Sequence, residues 1–274
     1  MARLLRIAAI VLGVILLALV ALWISLPNVK PLAGENPKAT AMIDLRRKQA
    51  EDAGKPFKLQ WEWRPLSRIS PLLQRAVIYA EDPVFFQHEG VDWEEIKEAA
   101  AHDWHTKSFE RGASTITQQV AKNLYLSPSR NPIRKLREFA IAKRLDRELT
   151  KQRVLEIYLN IAEWGDGVFG AEAAARRWFG CSASQLDAAQ AARLAVALPN
   201  PVLRAPNVHS RMLARKAARL VRALRRAGLI DEEQADEGQV RLGVTPKGKP
   251  EPPPEPEAPP PEPEPDIGSD TPPE

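Results

Sequence analysis

The chain has 274 residues and a net charge of +4, with 25 prolines and a single cysteine, Cys181. That length suffices for one good-sized domain with appendages. One cysteine excludes an intrachain disulfide and a cysteine-built metal cluster. From Glu251 onward there are eight acidic residues and no basic one, which leaves residues 1–250 with 39 basic against 27 acidic side chains, a net +12. Such a body suits an anionic partner: nucleic acid, a membrane surface or a phosphate-bearing substrate.

Residues 7–26 form an apolar run about as long as a bilayer is thick, preceded by Arg3 and Arg6 with no nearby acid. An uncleaved anchor is expected, with residues 1–6 cytoplasmic, the body outside and Trp23 at the outer interface. A cleaved signal peptide is the competing reading, but the run is long for a signal core and no good small-x-small site follows it. Residues 27–60 are mixed and polar, punctuated by Pro31, Pro37 and Pro56, and read as a juxtamembrane linker with a weak helical signal over residues 38–53. From residue 61 to 243 the periodicity is helical, with short strand pieces only near residues 59–63, so a mainly α domain is expected.

Within that domain Leu72, Leu73, Ala76, Val77 and Ala80 recur at helical spacing, and Pro83 argues against the helix continuing. Glu81 therefore falls where a rigid helix gives way to a loop, a good station for a general acid or base. An arbitrary Glu-Asp pair at a helix end is usually only solvated surface. Further on, Ile116, Val120 and Leu124 share one helical face, while Thr115, Gln119 and Lys122 share another. Threonine and paired glutamines suit a substrate groove better than a solvent face, where Glu and Lys dominate.

The next helix opens at Asn131-Pro132 and sets Arg134 and Glu138 on one face. With Lys122 and Lys135, Arg134 makes a cationic cluster able to hold a phosphate or pyrophosphate; the bland alternative is a surface ion pair. Lys151–Ile161 is apolar nearly all round and reads as the buried central helix. Residues 164–170 read as a Gly-rich loop that fits neither a P-loop nor a dinucleotide fingerprint. Small-residue helices are expected over residues 170–179 and 184–198, the second with a capping box from Ser184 to Asp187. Arg211–Arg226 is a basic amphipathic stretch, read as a surface helix packed on the core through Leu213, Ala217, Leu220 and Leu224 rather than as a membrane-lying helix. Residues 244–274, dominated by Pro and Glu, cannot bury enough apolar surface to offset ordering and are expected to be a disordered tail.

Four stretches in this order, Glu81-Asp-Pro-Val-Phe-Phe-Gln-His-Glu-Gly90, Gly112-Ala-Ser-Thr-Ile-Thr-Gln-Gln-Val-Ala-Lys-Asn123, Arg134-Lys-Leu-Arg-Glu138 and the run from Arg153 to Gly170, closely resemble the glycosyltransferase domain of penicillin-binding proteins. The closest likeness is to the monofunctional biosynthetic peptidoglycan transglycosylases. The resemblance covers about residues 65–201, with Ala113 standing where bifunctional relatives usually carry glycine. It implies a lysozyme-like, two-lobed helical fold and polymerisation of lipid II into β-1,4 glycan strands, with inversion and release of undecaprenyl diphosphate. Glu81 matches the general base and Glu138 the family's second glutamate. Lys122, Arg134 and Lys135 match its diphosphate-binding cations, Thr115, Gln119 and Asn123 its groove residues, and Phe85 and His88 the supports of the first Glu. No cofactor is demanded, though Mg²⁺ or Mn²⁺ beside the diphosphate would suit oxygen ligands. His102 and His105 with Glu94 or Glu95 make a zinc set that the motifs do not support.

The expected partners are lipid II, the growing glycan lipid, the inner membrane and other wall-synthesis or division proteins, not nucleic acid. Two other classes compete: a wall-cleaving hydrolase on the same scaffold, which would have no use for the cation cluster, and a non-catalytic scaffold, which would not need both Glu81 and Glu138.

Overall fold

Proline, glycine and short polar caps cut the chain into helices. The computed structural model describes residues 1–106, 114–127, 129, 131–206 and 210–244, and these are mainly helical. In order they are α1 (Ala2–Ile24), α2 (Ala41–Asp52), β1 (Gln60–Trp61), α3 (Pro71–Glu81), α4 (Trp93–Thr106), α5 (Ile116–Tyr125), α6 (Pro132–Glu148) and α7 (Lys151–Ile161). Then follow β2 (Glu163–Gly165), β3 (Val168–Phe169), α8 (Ala171–Phe179), α9 (Ala188–Ala197), α10 (Arg211–Arg226) and α11 (Glu232–Arg241). The acidic tail beyond residue 244 and the side chains of His102 and His105 lie outside the described residues.

Two groups of helices share one core. In one, α3 packs on α9 and α10, and α9 on α10; in the other, α5 packs on both α6 and α7. The boundaries follow from capping chemistry. Ser70 accepts from the Leu72 N–H and Pro71 opens α3, where a missing N–H costs nothing. The helix stops at Glu81 because Pro83 cannot donate back to it. Thr150 caps α7, whose residues from Val154 to Ile161, Glu156 apart, are buried, as its all-round apolar pattern requires.

Three local expectations need correction. The stretch read as a linker is packed: it carries a 3₁₀ turn (Lys30–Ala33) and α2, and it buries Val29, Leu32 and Ile43. Arg46 of α2 grips the nearly buried Glu163 through both carboxylate oxygens, at 2.8–3.0 Å. Few apolar residues are needed to dock a helix held this way, so the hydrophobic pattern was weak. The Gly-rich loop at residues 164–170 is largely a hairpin, β2 antiparallel to β3, with β1 added parallel on the other side. Its turn depends on Gly167, at φ +71, where a Cβ would run into the Lys58 carbonyl. Before α9, the capping boxes run from Ser182 to Gln185 and from Asp187 to Gln190, rather than from Ser184 to Asp187.

Among the described residues no helix is long and apolar enough to cross a membrane. α1 runs for 23 residues, with Leu4, Leu5, Ile10, Leu17 and Ile24 all exposed. Its outer end is tied to the domain. Arg144 of α6 donates to the carbonyls of Trp23, Leu26 and Pro27 at 3.2–3.3 Å and lies over the Trp23 ring at 4.7 Å.

Candidate active site

The last residue of α3 meets the middle of α5, and there the two helix groups join. Glu81 accepts a hydrogen bond from Gln119 Nε2 at 2.7 Å, and Gln119 Oε1 in turn accepts from the Tyr158 hydroxyl at 3.0 Å. The chain of donors fixes the amide. A flipped Gln119 would point its carbonyl at a carboxylate, so the tyrosine and the glutamate together leave only one orientation. Burial pushes the Glu81 carboxyl above its ordinary value, opposed by the Gln119 bond and the Lys122 charge. A raised carboxyl suits a group that must take a proton and later release it.

Its neighbour does something else. Asp82 is fully buried, with both oxygens 3.0 Å from His88 Nε2 and Oδ2 also accepting the Ile116 N–H at 3.0 Å. This carboxylate sits at the N-terminus of α5, where the helix dipole favours it, and it stitches α3 to α5. Of the two adjacent acids only Glu81 retains capacity for a substrate. Phe85 is fully buried, edge-on to His88 at 6.3 Å and capped by Lys151 at 4.9 Å. Phe85 and His88 thus hold the loop after α3 through Asp82 and the core.

Thr115 lies in a different role from the groove position implied by resemblance. It is the N-cap of α5, with its hydroxyl accepting from the Gln118 N–H at 3.2 Å and donating to the Gly90 carbonyl at 2.7 Å. Its only side-chain donor is spent on the fold. Helical spacing put it on one face with Gln119 and Lys122, but a cap has non-helical backbone and does not continue that face. Asn123, one turn beyond Gln119, is buried on α5.

The cations converge on Glu138, itself 2 % exposed. Arg134 Nη1 lies 2.6 Å from one of its oxygens and Lys135 pairs with the other; Lys135 Nζ also reaches Ser114 Oγ at 2.9 Å. Lys122 feels Glu138 and Glu81 together, and burial lowers its ammonium below the usual lysine value. The site therefore has a carboxylate on one side, a triad of cations on the other, and Lys122 electrostatically coupled to both. Glu138 has both oxygens occupied by Arg134 and Lys135, and among the described residues no three His, Cys, Asp or Glu side chains converge as metal ligands.

Sequence reasoning missed Tyr158 and the structural use of Asp82. A hydroxyl in the otherwise apolar inner face of α7 was the available signal for the first: buried tyrosines keep a partner.

Comparison with known proteins gives the family. A family model described as Transglycosylase matches residues 50–225. A biosynthetic peptidoglycan transglycosylase of Methylobacillus flagellatus is 43 % identical over 208 residues, covering 76 % of this chain and 90 % of its own. Proteins of the same name from Aromatoleum aromaticum and Laribacter hongkongensis are 48 % identical over 166 residues and 45 % over 181, covering 61 % and 66 % of this chain and 72 % and 79 % of theirs. The matched region takes in α3, the loop after it, α5, α6 and α7, and with them every site residue above; the chain belongs to the transglycosylase family, among its biosynthetic peptidoglycan transglycosylases.

Proposed function

We propose that this protein is a peptidoglycan glycosyltransferase that polymerises lipid II into β-1,4 glycan strands. The observation that carries the reading is the pairing of one proton-accepting carboxylate, Glu81, with a cation cluster of Lys122, Arg134 and Lys135. Glu81 takes the proton from the 4-hydroxyl of the acceptor sugar as that oxygen attacks the donor anomeric carbon. The donor bond to diphosphate breaks, and undecaprenyl diphosphate leaves with the electron pair. An α-linked donor and a β-linked product need a single inverting displacement and no covalent enzyme intermediate.

A positioned base supplies typically about 10²–10⁴-fold. The rest comes from alignment and from cations facing the charge on the departing diphosphate. Arg134 grips phosphate oxygens through a planar fork, and Lys122 and Lys135 act as point charges. Glu138 holds Arg134 and Lys135 in place before substrate arrives. Asn123 lines the groove beside Gln119. A lysozyme-like, two-lobed arrangement suits the two helix groups, with Glu81 at their junction.

The anchor reading belongs to the same proposal. The apolar run of residues 7–26, which overlaps α1, is at about 1.5 Å per residue about as long as a hydrocarbon core of about 30 Å is thick. Lipid II and its product are themselves membrane-bound, so a single-pass anchor keeps enzyme and substrate in one plane. Residues 27–244 then form the catalytic body on the outer face.

The test uses the purified full chain in detergent with labelled lipid II and no other enzyme. Lysozyme-sensitive polymer is expected, and it should vanish in Glu81→Gln, which keeps the shape but removes the base, while lipid II binding persists. Cleavage of preformed glycan without polymer would transfer the assignment to a hydrolase; binding without turnover in the unmutated chain would make it a scaffold.

A further inference from the structure

At the N-terminal end of α10, where it meets α9 and the stretch after α11, lies a surface that the reaction does not use. A cavity of about 440 Å³ is lined by Arg193, Arg204, Arg211 and Arg215, over an apolar floor that includes Val196 and Leu213. Among the described residues no acidic side chain lines it. The cation row continues along the helix: Lys216, Arg219 and Arg226 are exposed, and Arg219 and Arg226 line a second cavity of about 450 Å³. The helix buries Leu213, Ala217, Leu220, Val221 and Leu224 against the core, so its apolar side is already covered. What remains outside is almost purely cationic.

The wall of the first cavity is completed by Leu242, Gly243 and Val244. The chain thus enters its Pro/Glu-rich tail from the rim of the arginine-lined site. That tail carries eight carboxylates from Glu251 to Glu274 and no cation after Lys249. We propose that the acidic segment, residues 251–274, docks on the arginine-lined cavity and the exposed row of α10.

Reach and magnitude both favour it. Glu251 stands seven positions beyond Val244; in extended polyproline form that stretch spans about 22 Å, at roughly 3.1 Å per residue. The helix itself, 16 residues, is about 24 Å long. A tethered segment sees its site at about millimolar effective concentration. Half occupancy then requires only a millimolar intrinsic affinity, about 4 kcal/mol. Several exposed ion pairs between the tail carboxylates and these arginines act together toward that value. The contact is electrostatic and exposed, so it weakens as salt shortens the screening length. Tail docking would withhold this cationic face from other acidic partners.

The experiment uses the full-length chain labelled with a fluorescence donor and acceptor at its natural Cys181 and at Ser269→Cys. Energy transfer should be high at 50 mM salt and fall at least twofold by 500 mM. It should fall as far at low salt in Arg204→Glu/Arg211→Glu/Arg215→Glu. A second variant leaves the folded body untouched: replacing the tail's eight acids by their amides should abolish the salt dependence. Transfer that is insensitive to the tail amides overturns the proposal. So does transfer that responds only when vesicles of anionic lipid are added, since the face would then serve a membrane rather than the tail.

Discussion

At the scale of single residues, Glu81 carries a cost that the fold accepts for its reactivity. Its carboxyl is raised, so between the unfolded and folded titration points the native state binds more protons than the unfolded chain. Stability is therefore lost as pH rises through the folded value, and the full cost is present above it. Glu81→Gln should melt at a higher temperature than the unmutated protein at pH 7–8 and at the same temperature near pH 4, read by thermal unfolding across pH. Activity has the opposite dependence: it should rise with pH as Glu81 ionises, above the ordinary carboxylate range. Tyr158→Phe removes the hydroxyl that orients Gln119, so the amide can rotate and the Gln119 bond that favours the ionised Glu81 is weakened. Its acid limb should move to higher pH, with activity at high pH reduced less than at low pH, measured as initial polymerisation rates. A purely structural role would lower the rate equally at every pH.

Glu81 was legible because an apolar stripe and Pro83 together fix where its helix ends. Asp82 was not, since nothing in a Glu-Asp pair says which acid is turned inward; the Ile116 N–H, 34 positions along the chain, decides it.

At the scale of elements, periodicity found what periodicity can see. The bounds of α7 and α10 follow from long amphipathic or apolar patterns. The hairpin of β2 and β3 escaped because strands of three and two residues are too short to alternate visibly, and glycine hides a turn inside an apparent loop. Capping residues are found only to within a residue or two, which is why Thr115 was assigned to a face rather than to a helix end. Gly90 shows how tightly these ends are packed. At φ +78 its Cβ would lie 2.9 Å from the Ala142 carbonyl and 3.0 Å from Asp146 Cβ, both on α6. A left-handed backbone costs a side chain about 1–2 kcal/mol before any clash is counted. Gly90→Ala should lower stability by about 2 kcal/mol or more and disturb the Thr115 cap, visible as a lower melting temperature and faster amide exchange at the start of α5.

At the scale of the whole molecule, charge is divided between a basic body and an acidic tail, and the proposed site lies wholly in the body. Deleting residues 250–274 should leave polymerisation in detergent nearly unchanged, measured on purified protein; a large loss would place the tail within the catalytic cycle. The anchor is another matter. Arg144 holds the backbone at Trp23, Leu26 and Pro27, and the same helix, α6, begins with Arg134, Lys135 and Glu138. A flexible insert of about ten residues after Pro27 should preserve turnover of detergent-dispersed lipid II. In bilayers it should cut the rate severalfold, compared in liposomes of fixed composition.

The clamp ties the C-terminal end of α1 to α6 through one arginine. An enzyme that hung from its anchor by slack chain would tumble above the bilayer and meet each sugar at a different height. With α1 as the proposed anchor, a hold at three carbonyls would keep the Arg134 end of α6 at a set altitude over the lipid surface, as a carriage holds a tool over its bench. Under that proposal growth of the polymer would have a direction built in: the lipid-linked end would stay at the plane of the carriage, and the finished strand would be fed out away from it.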